Sequence, residues 1–151
     1  MSSRLVLSSW VRDVKRVIKE IVKLEKLVPG GQAIGDLTDG RKVFVWGALP
    51  GETALVRLTK LKKTHAEAIV TEIIKPSPDR ITPRDDCFLA TSPWQIMTEP
   101  VESRHKVALV KEAFCQHRVE IEPNEIVSDG RYYHYRNKME YSLWWDHQTE
   151  R

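Results

Sequence analysis

The sequence predicts a mainly β chain with an α+β second part, in which a small β-barrel precedes a helix and the strands of a partial α/β domain. Two observations support this class. Over residues 17–76, short segments rich in β-branched residues alternate with turns that contain Gly and Pro. Residues 76–83 (PSPDRITP) then hold three prolines, and residues 99–117 beyond them have helical spacing.

The barrel begins with an ambiguous segment. Apolar side chains in residues 10–24 follow helical spacing, whereas the overlapping residues 20–28 (EIVKLEKLV) are equally typical of a strand. Residues 28–36 (VPGGQAIGD) are rich in glycine, which predicts a turn. Further strands and one turn are predicted after it: strands at residues 41–47, 52–61 and 65–74, and a turn at residues 48–51.

The second part of the chain is predicted to begin with a helix over residues 99–117. Acidic residues and a proline suit its first turn, and apolar residues repeat on one face. Residues 119–122 (VEIE) could form a short strand. The pair Asp129-Gly130 predicts a turn into residues 132–145, where apolar side chains fall on every second position. That alternation predicts a strand with one buried face.

Charge is distributed unevenly along the chain. Residues 1–76 contain 14 Lys/Arg and 8 Asp/Glu, a charge of +6, whereas residues 77–151 contain 10 and 13, a charge of −3. A basic first half favours a polyanionic partner such as nucleic acid, although chance scatter of surface lysines is an equal alternative. No apolar run is long enough to span a membrane, so no membrane partner is expected. The two cysteines, Cys87 and Cys115, fit reduced thiols of a cytoplasmic protein.

The residues with the clearest chemical pattern are three lysines in the segment KLKKTH, residues 60–65, which we call the basic loop. Lys60, Lys62 and Lys63 cluster where two strands of the predicted barrel join. Small barrels bind single-stranded nucleic acid with a groove and its flanking loops, so these lysines are candidate RNA ligands. The alternative is a solvated hairpin tip, which spacing alone favours.

No catalytic, cofactor-binding or metal-binding residue is assigned from the sequence. Cys115 and His117 form a C-x-H pair, but a structural zinc site needs four well-placed ligands and no second pair stands at ligand spacing. The sequence contains no Gly-rich phosphate loop between a strand and a helix, no nucleophile elbow and no defensible pair of carboxylates.

Taken in order, the segments resemble a known family. LVPGGQAIG, VFVWGALPGE and VRLTKLKKTHAEAIVTEIIKPSPDR resemble the TRAM domain at the front of RumA-type RNA (uracil-5-)-methyltransferases. PWQIM and HKVALVKEAF resemble the segment that follows, and YRNKMEYSL resembles a strand of the central domain. The resemblance implies four regions: an N-terminal extension (1–16), a TRAM RNA-binding barrel (17–76), a Pro-rich linker with a degenerate iron–sulfur loop (77–98) and the start of the central methyltransferase domain (99–151).

The resemblance implies an OB-like, five-stranded barrel that binds RNA. It further implies an S-adenosylmethionine-dependent enzyme that methylates C5 of a uridine in ribosomal or transfer RNA, expected to be a cytoplasmic monomer. Arg41, Lys42 and Arg57 join the basic loop as candidate RNA ligands on this basis. The alternative is a free-standing TRAM-type module without enzymatic activity, and a self-contained enzyme with an unrecognised site ranks last.

Arg136 and Lys138 are further candidate RNA ligands in the second part of the chain. They flank Asn137, which interrupts the apolar series of the predicted strand over residues 132–145. The Asn137 amide either fixes the backbone near a surface where Arg136 and Lys138 meet RNA phosphate, or is a structural amide satisfied inside the core. The second interpretation is the more expected, because a buried amide needs hydrogen-bond partners.

The chain departs from the family at the iron–sulfur loop. Many of these enzymes hold a four-iron cluster with cysteines arranged C-x5-C-x2-C and a fourth further on. The corresponding positions here are Asp85, Thr91 and Trp94, none of which supplies a thiolate, and Cys87 is out of register. No cluster is therefore expected, and Pro93 and Trp94 are expected to fill the space by apolar packing.

A second departure concerns catalysis. Methyl transfer to C5 needs a nucleophilic cysteine that attacks C6 of the uracil and a base that removes the C5 proton. It also needs a Rossmann-like domain that binds the methyl donor. In the family all of these follow the YRNKMEYSL region, and Cys115 precedes it, so Cys115 is not carried over as the nucleophile. The chain alone is expected to be inactive and to hold no cofactor.

Overall fold

The structure is a computed structural model that describes residues 17–135, 138 and 140. The chain divides into two compact units after Thr98. Among the described residues, unit 1 contains five strands and a short helix, and unit 2 contains one long helix. The elements in chain order are β1 (Lys19–Leu27), β2 (Ala33–Asp36), β3 (Lys42–Trp46), β4 (Thr53–Leu61), β5 (His65–Lys75), α1 (Phe88–Thr91) and α2 (Glu99–Gln116).

The five strands close into a barrel in the order β1-β2-β3-β5-β4. All neighbouring pairs are antiparallel except β3 and β5, which run parallel. β1 closes the barrel because its first half pairs with β4 and its second half with β2, with a register shift between Leu24 and Lys26. The predicted class, a mainly β chain with an OB-like five-stranded barrel followed by a helix, is confirmed.

The interior of the barrel is filled by alternate residues of each strand, as a period-two pattern requires. Alanines stand opposite larger aliphatic side chains, which keeps the barrel narrow enough to be filled by side chains alone. The fully buried residues on the strands are Val22, Leu24, Ala33, Val43, Val45, Ala54, Val56, Ala66 and Ala68.

Two sequence interpretations change at the start of the barrel. The ambiguous segment is a strand, β1, from Lys19 to Leu27. Residues 33–36, predicted as part of a turn, form β2. A four-residue strand that contains a glycine carries little strand signal of its own, and its pairing with both β1 and β3 is what makes it extended. The turn itself is confined to residues 29–31.

We expect Gly35→Ala to lower the free energy of unfolding by about 3 kcal/mol, because β1 approaches this glycine too closely for a side chain. A Cβ at Gly35 would lie 2.4 Å from the carbonyl oxygen of Lys23 and 2.6 Å from Cγ1 of Val22. Urea unfolding measures the change. Gly40→Ala is the control, because Gly40 has open space around it and only its φ of +83° opposes a side chain, at ~1 kcal/mol. Equal losses in the two variants would contradict the close approach.

Residues 77–98, predicted as a linker, belong to the same unit as the barrel. The backbone N–H of Ile81 donates to the carbonyl of Ile96 at 2.9 Å, and Arg80 pairs with Met97 in an isolated bridge. Ile96 and Met97 are both buried. Because buried apolar residues and backbone hydrogen bonds order this segment, it is a structured part of unit 1.

Unit 2 contains α2, whose bounds agree with the predicted helix to one residue. Ser103 Oγ donates to Glu99 in the first turn, and Lys106 pairs with Glu102 one turn earlier at 2.6 Å. Such pairs at i and i+4 stabilise an exposed helix modestly. Neither described helix is long and apolar enough to cross a membrane.

The two strands predicted after α2 are not formed in the described residues. Residues 119–122 and 132–135 have no strand conformation, and His134 has a φ of 59°, in the left-handed region. A strand needs a partner for its backbone groups, and no described residue of unit 2 provides one. Beyond Tyr135 the structure describes only residues 138 and 140 of the predicted strand; Arg136, Asn137 and residues 139 and 141–145 lie outside the described residues, as do residues 1–16.

Candidate nucleic-acid interface

The basic loop joins β4 to β5 in a tight hairpin. The backbone N–H of Lys62 donates to the carbonyl of His65 at 2.9 Å, which closes the turn. Lys60 donates to Glu67 Oε2 at 3.0 Å, and the Lys62 ammonium lies 3.9 Å from the other oxygen of the same carboxylate. The side chains of Lys60 and Lys62 are 65% and 55% exposed, so both ammonium groups remain accessible to a ligand.

Glu67 organises the two lysines electrostatically. The hydrogen bond from Lys60 is the main reason that the pKa of Glu67 lies below its ordinary value, with smaller contributions from the charges of Lys60, Lys62 and His65. The carboxylate is therefore ionised at neutral pH. It holds two ammonium groups on one side of the hairpin while cancelling only one of their charges.

The parallel pairing of β3 with β5 brings two more basic residues to the loop. Lys42 is the register partner of His65, the last residue of the basic loop. Arg41 Nη1 donates to the carbonyl of Lys62 at 2.8 Å, which ties the β2–β3 turn to the hairpin. Residues that are 21 positions apart in the sequence therefore form one surface.

Acidic neighbours position these two residues. Arg41 forms an ion pair with Asp39, whose hydrogen bond raises the pKa of the guanidinium and whose own pKa is lowered in return. Lys42 lies 2.9 Å from Asp36 and 3.3 Å from Glu25, and the hydrogen bond to Asp36 is the first cause of its raised pKa. Both cations are fixed in place before any ligand binds.

Lys63 and Arg57 are the candidates least committed to carboxylates. Both are exposed, and among the described residues neither has an acidic partner within 4.0 Å. Lys63 lies at the hairpin tip. Arg57 lies on β4, three residues before Lys60, or about 10 Å along the strand. The two are therefore the cations best able to exchange water for phosphate.

The structure brings five of the eight candidate RNA ligands together at one end of the barrel: Arg41, Lys42, Lys60, Lys62 and Lys63. Arg57 lies along the adjoining strand. Lys138 belongs to unit 2, where its ammonium pairs with Glu140 at 3.0 Å. Arg136 lies outside the described residues, so its role and that of Asn137 stay predictions.

Two aromatic residues at the basic loop, Phe44 beside it and His65 at its end, were not assigned a role from the sequence. Phe44 and His65 lie on the outer face of β3 and β5, with ring centroids 5.6 Å apart. The outward position of Phe44 could have been predicted from the sequence VFVW, because side chains alternate along a strand and Val43 and Val45 are buried. Its proximity to His65 depends on the parallel pairing, which the sequence did not predict.

A buried ion pair in unit 1 was missed as well. Glu52 is fully buried, and its carboxylate accepts two hydrogen bonds from Arg80, at 2.5 and 2.8 Å. The N–H groups of Leu49 and Ser77 donate to the same carboxylate at 2.8 and 3.1 Å. Burial by itself raises the pKa of Glu52, but the hydrogen bonds from Arg80 and the two backbone groups outweigh it and lower the pKa.

The positions that correspond to the family's iron ligands hold residues without a thiolate. Asp85 accepts a hydrogen bond from Gln95 at 2.8 Å, and the Trp94 indole donates to the carbonyl of Gly31 at 3.1 Å. A carboxylate, the hydroxyl of Thr91 and an indole do not fit an iron–sulfur cluster, because its irons bind thiolates. Within the described part of the chain, no group of three His, Cys, Asp or Glu side chains could hold a metal ion.

A closed five-stranded barrel with this strand order, and with a cluster of cations at one end, belongs to the class of small OB-like barrels. The TRAM domain family matches residues 18–71, which span the barrel from β1 into β5. The barrel is therefore a TRAM domain, as the sequence resemblance predicted.

The similarity continues beyond the barrel. An uncharacterised RNA methyltransferase of Gloeobacter violaceus is 34% identical over 128 residues, and one of Thermotoga maritima is 29% identical over 124 residues. Each alignment covers 81% of this chain and 28% of the relative, so the chain spans less than a third of their length. The 23S rRNA (uracil(1939)-C(5))-methyltransferase of Dichelobacter nodosus is 54% identical over 46 residues, 30% of this chain and 11% of that protein. The predicted resemblance to RNA methyltransferases is confirmed.

Proposed function

We propose that this chain is the RNA-binding portion of an S-adenosylmethionine-dependent enzyme that methylates C5 of uridine in ribosomal or transfer RNA. The observation that carries the RNA-binding part is the cluster of five cations at one end of a TRAM barrel. The names of the relatives support methyl transfer to RNA, and the Dichelobacter protein supports ribosomal RNA and uracil C5. A free-standing binding module is not favoured, because similarity to these enzymes extends over 81% of the chain.

In this proposal the barrel docks RNA, and methyl transfer belongs to the whole protein. Cations that are fixed by neighbouring carboxylates position the phosphate backbone at little entropic cost. We propose that residues 17–76 are the docking domain and that residues 99–151 begin the central domain. The chain itself is proposed to act as a monomer in the cytoplasm, without metal or S-adenosylmethionine.

Salt-dependent RNA binding tests the proposal. Fluorescence anisotropy with a labelled RNA stem-loop, measured as salt is raised from about 50 to 200 mM, should give log K against log salt a slope of about −2 to −4. That slope corresponds to about three to five phosphate contacts, each of which releases slightly less than one counterion, and the cluster supplies five cations. A salt-independent response, or no binding at low salt, would contradict the proposal.

S-adenosylmethionine provides the matching ligand control. A ligand stabilises only a protein that binds it, so the melting temperature of this chain should not change when S-adenosylmethionine is added. Under the same conditions the RNA stem-loop should raise it. A shift with the methyl donor would place part of the donor site in this chain and would overturn the assignment of methyl transfer to the rest of the protein.

A further inference from the structure

The outer face of the barrel presents two aromatic rings at the basic loop, one of which, His65, is the last residue of the loop. Val43 and Val45 are fully buried inside the barrel, so Phe44 between them points outwards and is partly exposed. The planes of the Phe44 and His65 rings meet at 88°, edge to face, with their centroids 5.6 Å apart. We call Phe44 and His65 the aromatic pair. A side chain as large as phenylalanine on an outer face leaves apolar area in contact with water unless a ligand covers it.

The aromatic pair is held in place from its edges. Thr64 Oγ1 and His65 Nδ1 share a hydrogen bond of 3.1 Å, which restricts rotation of the imidazole. Parallel pairing places Lys42 beside His65, and Glu67 is the register partner of Phe44. The rings are therefore preorganised before a ligand binds, which lowers the entropic cost of binding.

Cations lie near the aromatic pair, together with the carboxylates that position them. Glu67, beside Phe44, holds the ammonium groups of Lys60 and Lys62 at 3.0 and 3.9 Å. Arg41 is bound to the carbonyl of Lys62 at 2.8 Å, and His65 is itself the last residue of the basic loop. An apolar ring beside exposed cations, which their carboxylate neighbours neutralise only in part, suits a ligand that is flat and apolar on its faces and anionic along its backbone. A nucleic acid with unpaired bases has both properties.

We propose that the aromatic pair stacks an unpaired base of single-stranded RNA while the basic loop and Arg41 bind the flanking phosphates. This inference rests on the proposed RNA-binding function and deepens it by naming the form of RNA that the barrel binds. Bases in a duplex are already stacked on their neighbours, so only a splayed-out base has a face available for Phe44. The barrel accordingly binds a loop, a bulge or a single strand in preference to a continuous helix.

The test uses the full chain and a single-stranded RNA of about 10 nucleotides with one central 2-aminopurine, a length suited to one barrel of this kind. Phe44→Leu keeps an apolar side chain but removes the ring, and should weaken binding roughly tenfold. Phe44→Tyr retains the ring and should bind within about twofold of the parent chain. Phe114→Leu, the same substitution at an exposed residue of α2, is the matched control and should leave the affinity unchanged.

Two further readouts separate stacking from a general effect on the fold. The slope of log K against log salt should be the same for Phe44→Leu and the parent chain, because no charge is removed. The 2-aminopurine fluorescence should be quenched in the saturated parent complex and less quenched with Phe44→Leu. A fully base-paired RNA of the same length should bind more weakly than the single strand.

The outcomes distinguish this inference from the function on which it rests. If the parent chain binds RNA with a steep salt dependence but Phe44→Leu and Phe44→Tyr bind alike, base stacking on the aromatic pair is wrong and the RNA-binding function stands. Equal fluorescence in the two complexes, or preference for the duplex, would overturn it in the same way. If the parent chain shows no salt-dependent RNA binding, the proposed function is wrong, and so is base stacking on the aromatic pair.

Discussion

Arg80→Met is expected to lower the free energy of unfolding of unit 1 by about 3–5 kcal/mol. The substitution leaves Glu52 as a buried carboxylate without its countercharge, and an uncompensated buried charge strongly destabilises the folded state. Arg80 donates two hydrogen bonds to Glu52 and a third to the carbonyl of Gly47, at 2.8 Å. All three contacts fasten residues 77–80 to the end of the barrel, so their loss also frees that segment.

Urea unfolding of the parent chain and the variant at about pH 7 measures this effect. Arg57→Met is the matched control, because Arg57 is exposed on β4 and among the described residues has no acidic partner within 4.0 Å. Its cost should stay within about 0.5 kcal/mol. A loss below about 1 kcal/mol for Arg80→Met would contradict a structural role for the buried pair.

The pH dependence of the same comparison has a definite sign. The pKa of Glu52 is lower in the folded chain than in the unfolded chain, so folding favours the ionised form. The stabilisation is fully present above the unfolded value of about 4.3, and it is lost as the pH falls through the folded value below it. The difference between the parent chain and Arg80→Met should therefore be largest near neutral pH and shrink below about pH 4.

Replacing Lys60, Lys62 and Lys63 together by Gln is expected to weaken RNA binding about 100-fold at about 0.1 M salt. Each lost phosphate contact removes slightly less than one released counterion, so the slope of log K against log salt should become flatter by about 2. Loss of Lys60 and Lys62 also leaves Glu67 without the two ammonium groups that it now pairs with. That carboxylate would then repel the phosphate backbone and add to the loss.

A second triple variant, Lys23→Gln, Lys75→Gln and Lys106→Gln, changes the net charge by the same amount at sites outside the loop. Lys23 on β1 pairs with Thr53, at the end of β4 opposite the basic loop, and Lys75 is ten residues beyond His65 along β5. Anisotropy with the same stem-loop should show less than about a fivefold loss for this control, from long-range attraction only. Equal losses in the two triple variants would mean that binding reflects net charge and not the basic loop.

The strands β3, β4 and β5 and the helix α2 were predicted to within one or two residues at each end. Their signals are local: alternating apolar residues, a turn at residues 48–51, and an acidic first turn for the helix. β2 was assigned to a turn, because four residues that include Gly35 have no strong preference until β1 and β3 pair with them. The predicted strand at 119–122 has no such partner among the described residues and is not extended.

The candidate site was predicted less completely than the fold. The basic loop was recognised because three lysines lie within four residues of each other, and Arg41 and Lys42 were added by resemblance. The aromatic pair and the buried pair of Glu52 and Arg80 were missed. Both join residues that are more than 20 positions apart, and composition and periodicity do not indicate which distant residues meet.

By itself, the sequence determined the barrel class, most strand bounds, the helix and the position of the basic loop, because each depends on residues that are neighbours in the chain. Only the tertiary structure decided that β3 runs beside β5, which places Arg41 and Phe44 at the loop. It alone decided that residues 77–98 belong to the barrel unit. The sequence could not show these contacts, because they join residues that are far apart in the chain. A buried carboxylate such as Glu52, for example, is stable only where distant donors converge on it, and the fold of the barrel determines where that occurs.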